Sequence, residues 1–64
     1  MRAALASLCR RMARRCRERA VVLRTMLVAL DWDGRAPEAL RARDLVRQEE
    51  TAAARWDGWA RRLT

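Results

Sequence analysis

The sequence has no histidine, lysine, tyrosine or phenylalanine, and its 64 residues include one proline and two glycines. Ser7 is the only serine, and no glycine-rich loop is present. The chain therefore has no histidine or tyrosine for acid–base chemistry and no loop to cradle a phosphate, and no pair of its acidic residues is placed on an apolar face. We predict a protein with no catalytic activity, no cofactor and no small-molecule substrate.

The cysteines are also few. Cys9 and Cys16 lie seven residues apart, which on one helix places them about 10.5 Å apart along the axis. This separation is too large for a disulfide within one chain, and without histidine one chain cannot form a closed metal site. We interpret both residues as small apolar core thiols. The alternatives are a disulfide between two chains and a zinc ion that bridges two chains.

The only proline and one of the two glycines lie close together near the middle of the chain. Gly34 can adopt the left-handed conformation that ends a helix, and Pro37 suits the first turn of the next helix. Long runs rich in Ala, Leu and Arg, without a helix breaker until Gly58, lie on both sides. The sequence therefore predicts a helix, a tight turn and a second helix.

We predict a single all-α domain, residues 1–64, that folds as an antiparallel two-helix hairpin. Its parts are a helix at 3–32, a turn at 33–36 and a helix at 37–62. One helix–helix contact is expected to bury too little apolar surface to order a chain of this length. We therefore expect pairing with a second hairpin, identical or related, in a four-helix bundle.

The first helix has apolar residues at the a and d positions of a heptad pattern. These are Leu5, Cys9, Met12, Cys16, Leu23, Met26 and Leu30, and Arg19 is the one charged residue in the stripe. Residues 20–30 are apolar on nearly all sides. We expect this second half of the helix to be buried most deeply.

The second helix carries an apolar stripe with alternating three- and four-residue steps. Its members are Ala39, Ala42, Val46, Glu49, Ala53, Trp56, Ala60 and Leu63, and Leu45, Ala52 and Trp59 widen it. Glu49 is the charged member. We predict that it pairs with Arg19 across the two helices, because an unpaired charge in either stripe is costly.

The larger side chains of both stripes, together with the cysteines, form the predicted partner interface. It comprises Leu5, Cys9, Met12, Cys16, Leu23, Met26, Leu30, Val46, Trp56 and Trp59.

Positive charge is concentrated near the start of the chain, where residues 1–19 carry seven arginines against Glu18 alone. The candidate anion contacts are Arg10, Arg11, Arg14, Arg15 and Arg17. These residues support an alternative function, which is binding of nucleic acid or of an anionic membrane surface. Both partners are weaker predictions than a second hairpin, and no base-stacking aromatic residues are interleaved with these arginines to support binding of nucleic acid.

The apolar run that follows the basic segment does not predict a membrane span or a secretory signal. Arg24 interrupts it, and eleven residues cannot cross about 30 Å of hydrocarbon. We expect a cytoplasmic protein or one that is exported together with a partner.

The turn resembles that of a known family. Trp32-Asp33-Gly34, followed by Ala36, Ala39 and Leu40, is similar to the W-x-G turn of the WXG family. These are small helical hairpins exported by type VII (ESX-type) secretion systems. The resemblance implies a hairpin that pairs with itself or a related subunit and has no catalytic activity. The family's export signal is a tyrosine followed four residues later by an acid. This sequence has no tyrosine, so either export depends on a partner that carries the signal or the chain is not exported.

Trp32 has two interpretations. Its indole can fold over the turn onto Ala36, Ala39 and Leu40 and close the end of the hairpin. Alternatively, its exposed edge can dock on a partner. The two roles are compatible.

Overall fold

The computed structural model describes residues 1–64 and contains two antiparallel helices and no strand. The first helix, α1, spans Arg2–Trp32, and the second, α2, spans Ala36–Leu63. They pack side by side into a rod whose Cα atoms extend over 49 × 13 × 10 Å. The predicted helical hairpin is therefore confirmed, with helix ends that differ from the predicted ones by at most one residue.

The chain reverses through a Schellman motif at the end of α1. Gly34 has a φ of 70°, and its N–H donates to the carbonyl of Asp31 at 3.2 Å. The N–H of Arg35 donates to the carbonyl of Leu30 at 3.0 Å. These bonds satisfy carbonyl groups that the helix end leaves unpaired. Pro37 lies in the first turn of α2, where its missing N–H costs nothing, so both residues have their predicted roles.

The contact between the helices is made by small side chains. Of the 64 residues ten are buried, and these are seven alanines, two cysteines and Val46. Ala13, Cys16 and Ala53 form the centre of the contact, and Trp56 packs against them. Cys9 and Cys16 are free thiols in this interior, which confirms their interpretation as core residues.

The predicted contact face of α2 is confirmed along its whole length. Ala39, Ala42, Val46, Ala53 and Ala60 are buried, and Glu49, Trp56 and Leu63 are half-buried. The widening positions Leu45 and Trp59 are exposed, so the contact is narrower than the stripe.

The predicted contact face of α1 is only partly right. The helix buries small residues, namely Ala6, Cys9, Ala13, Cys16 and Ala20. Leu5 and Met26 lie outside the contact and are exposed. The predicted heptad phase and the observed one share Cys9 and Cys16, so the positions of the cysteines do not distinguish between the two phases. The observed phase places Ala20 in the contact and Arg19 at its edge, where its guanidinium remains hydrated.

The depth of burial also differs from the prediction. Ala6 and Ala13 are fully buried, whereas Val21 and Val28 are 63% and 58% exposed. One partner helix covers only one side of a segment that is apolar all round. The second half of α1 is therefore the less buried half of this helix.

Trp32 does not fold over the turn. It is 85% exposed, and Leu40, one of its expected contacts, is also exposed. The reversal depends on the backbone of Gly34 and its hydrogen bonds, so the hairpin closes without an aromatic plug.

The two glycines provide a matched pair of substitutions with opposite expected effects. Gly34→Ala should destabilise the hairpin by about 1–2 kcal/mol, because alanine is strained at positive φ. A Cβ at Gly34 would meet nothing within 4 Å, so this cost comes from the backbone alone. Gly58→Ala, within α2, should stabilise by up to about 1 kcal/mol. Urea unfolding followed by circular dichroism, at one fixed protein concentration, measures both. A neutral Gly34→Ala would contradict the assigned turn.

Candidate interaction surfaces

The antiparallel reversal sorts the charge into two unequal halves. We define the turn half as residues 17–52 and the open half as residues 1–16 with 53–64. The turn half has seven arginines and seven acidic residues, so its net charge is zero. The open half has eight arginines and one acid, Asp57, and so carries the whole net charge of +7.

All eight arginines of the open half are exposed, and none is in an ion pair. They are Arg2, Arg10, Arg11, Arg14, Arg15, Arg55, Arg61 and Arg62. Four of the five predicted anion contacts are among them. The fifth, Arg17, donates a hydrogen bond to Asp57, so its charge is already compensated. The sequence pattern did not identify the arginines of α2, because only the reversal brings them beside α1.

Ion pairs mark one flank of the hairpin. Arg17 pairs with Asp57, and the Nη2 atom of Arg24 lies 2.8 Å from a carboxylate oxygen of Glu50. We call this side the charged flank. Both arginines are more than half exposed, so each pair contributes little to stability. Their effect is to favour one register between the helices.

The opposite side carries apolar side chains, and we call it the apolar flank. On α2, Ala52 follows Glu50 by two residues, and Trp59 follows Asp57 by two residues. Two residues correspond to a rotation of about 200° around the helix, so Ala52 and Trp59 lie on the side opposite to these acids. On α1, Arg19 lies two residues beyond Arg17, and Leu5 and Met12 precede Arg19 at whole heptad spacings. These residues therefore share the side of the hairpin that faces away from the Arg17–Asp57 and Arg24–Glu50 pairs.

The predicted pair of Arg19 and Glu49 is present on the apolar flank. The Nε atom of Arg19 donates to Oε1 of Glu49 at 3.1 Å, and its Nη2 atom lies 3.4 Å from the sulfur of Cys16. The hydrogen bond to Glu49, and then the charge of Glu49, raise the pKa of Arg19. The other carboxylate oxygen, Oε2, is enclosed and has no hydrogen-bond partner. The carboxylate is therefore only half satisfied in a contact that is otherwise apolar.

Large apolar side chains crowd the surface of the turn half. Val21, Val22, Met26 and Val28 of α1 are all more than half exposed. Leu40, Leu45 and Trp32 add to them. The turn half therefore combines zero net charge with seven of the eleven large apolar residues that the hairpin leaves exposed.

The residues predicted for the partner interface fall into three groups. Cys9, Cys16 and Val46 are buried within the single hairpin, Met12, Leu23, Leu30 and Trp56 are half-buried, and Leu5, Met26 and Trp59 are exposed. A second chain can reach only the exposed and half-buried ones directly. Val21, Val22 and Val28 were not among the predicted residues, although their apolar character away from the core stripe was visible in the sequence.

Neither helix has an apolar stretch long enough to cross a bilayer. A scan against protein-family models and searches of curated proteins and of solved structures found no match to this chain.

Replacement of Glu49 tests whether its carboxylate is needed for folding. We expect Glu49→Leu to leave the helicity intact and to change the free energy of unfolding by between about 0 and +1 kcal/mol. A leucine at this half-buried position gains apolar burial, while the loss of the pair with Arg19, whose side chain is more than half exposed, costs about 0.5 kcal/mol. Glu50→Leu is the matched control, because Glu50 lies outside the contact. Thermal unfolding by circular dichroism measures both, and an unfolded Glu49→Leu variant would show that the pair is essential.

Replacement of Trp32 distinguishes its two interpretations. Because the indole is 85% exposed, Trp32→Ala should change the free energy of unfolding of the hairpin by no more than about 0.5 kcal/mol. Circular dichroism and urea unfolding, with the variant and the parent chain at the same protein concentration, test this. A large loss of helicity would show that the indole helps to close the turn.

Proposed function

We propose that this chain is a non-enzymatic protein-interaction module that works by pairing through its turn half with a second copy of itself. The product is a four-helix bundle. The observation that carries the proposal is the set of exposed valines and methionine between residues 21 and 28. Such a surface is costly in water, and a second helical hairpin is the natural cover for it.

Charge favours a second copy as the partner. Two chains that each carry +7 repel one another, but the turn half has no net charge. Contact through the turn halves therefore avoids the repulsive part of each rod. An antiparallel arrangement of the two rods also keeps the basic open halves apart.

The resemblance of the turn to the WXG family supports the same mode of action. We propose that the chain is a WXG-like subunit associated with type VII secretion, which is exported, if at all, with a related subunit that carries the export signal. The exposed indole of Trp32, next to Gly34, suits docking on such a partner. The absence of histidine and tyrosine, with one serine, supports the non-enzymatic part of the proposal.

Sedimentation velocity tests the pairing. We expect a dimer at micromolar concentration, and helicity that rises with concentration. Val22→Asp/Val28→Asp should weaken the association by about 100-fold or more, because two unpaired carboxylates would be buried in the interface. The matched control is Leu5→Asp/Leu8→Asp, which adds the same charge to the open half and should remain dimeric.

Two results would contradict the proposal. One is a monomer that is stably helical at micromolar concentration. The other is equal dissociation by both double variants, which would place the interface elsewhere or along the whole rod.

A further inference from the structure

We infer that the open half is a binding site for an anionic lipid surface, with the hairpin lying on the bilayer rather than crossing it. This function is separate from the proposed pairing, since it uses the other half of the rod. Two independent features support it, namely the charge of the open half and an apolar stripe on the same half.

The charge provides the attraction. Eight exposed arginines without ion-pair partners lie within about half of a rod 49 Å long, against one acid that is already paired. Basic residues near an anionic leaflet contribute about fivefold each to binding. The turn half has no such excess, so the attraction acts on one end of the molecule.

The apolar stripe provides the insertion. Leu5, Leu8 and Met12 follow one another at three- and four-residue spacing on α1, apart from the alanines and cysteines that form the core. Leu5 and Leu8 are each almost half exposed, and Trp59 of α2 is 55% exposed on the same flank. Arg15 continues the stripe, and Arg62 lies over the Trp59 ring at 5.6 Å. Leucine and tryptophan bordered by arginine are typical of helices that lie in the membrane interface.

The same residues fit nucleic acid less well. Binding of single strands uses the free faces of aromatic rings for base stacking. Arg62 lies over the ring of Trp59, Trp56 is packed in the hairpin contact, and Trp32 lies at the far end of the rod. The exposed side chains of Leu5 and Leu8 also have no apolar counterpart on a phosphate backbone. The combined charge and apolar surface therefore favours a bilayer.

Vesicle co-sedimentation of the full chain tests the inference. The vesicles contain equimolar phosphatidylglycerol and phosphatidylcholine, and phosphatidylcholine alone is the neutral reference. We expect binding to the anionic vesicles only. Arg15→Gln/Arg55→Gln/Arg62→Gln should weaken it by about 100-fold. The matched control, Arg41→Gln/Arg43→Gln/Arg47→Gln, removes the same charge from the turn half and should weaken binding by less than about fivefold.

A second pair of variants tests the apolar stripe. Leu5→Ser/Leu8→Ser should weaken vesicle binding by about tenfold or more, whereas Ala3→Ser/Ala54→Ser, at exposed positions of the open half outside the stripe, should not. In a Trp32→Phe/Trp56→Phe background, the fluorescence of Trp59 should shift to shorter wavelength on anionic vesicles. Circular dichroism of each variant confirms that the hairpin remains folded.

Three results would overturn the inference. The first is no vesicle binding at low salt. The second is equal loss in the two arginine variants, which would mean that only net charge matters. The third is binding of a random-sequence DNA duplex at least as tight as that of the vesicles and insensitive to Leu5→Ser/Leu8→Ser, which would identify nucleic acid phosphates as the ligand.

Discussion

The contact between α1 and α2 is made by alanine and cysteine side chains, and the other features of the hairpin depend on it. Small residues fill the space between the helices, so large residues such as Val22, Met26 and Trp59 are left on the outside. The separation of packed helices follows the side chains at their contact. A narrow contact of this kind leaves a thin rod with a small interior and a large apolar surface. The small residues at the contact thus hold the two helices together, and they leave large apolar side chains on the surface that a partner can cover.

The reversal at Gly34 adds a second level of organisation. It places the basic start of the chain beside the basic end, and it places the neutral middle at the other end of the rod. Two distinct surfaces result from one linear sequence without a second domain. The ion pairs of Arg17 and Arg24 on one flank, and of Arg19 on the other, favour the register that keeps this arrangement.

Much of the fold could be predicted from the sequence, because strong local signals specify it. Gly34 and Pro37 mark the turn, and the predicted stripe of α2 contains all five residues that this helix buries. The α1 contact was harder to predict, since Cys9 and Cys16 belong to two overlapping heptad phases. Size led to the wrong choice, because Leu5 and Met26 look more like core residues than Ala6 and Ala20. The helix actually buries the residues that fit against the alanines of α2, and this depends on packing between elements rather than on either helix alone.

The uneven distribution of charge has a consequence for motion in solution. A rod whose entire excess charge lies in one half has a permanent electric moment along its long axis. In the field of any charged object such a molecule experiences a torque before contact, over distances comparable to the Debye length of about 8–10 Å. The end carrying Arg10 and Arg61 therefore turns toward negative charge while Trp32 trails behind. The orientation of the rod is therefore set during its approach to the charged object. Added salt should first randomise this orientation and only at higher concentration prevent the contact.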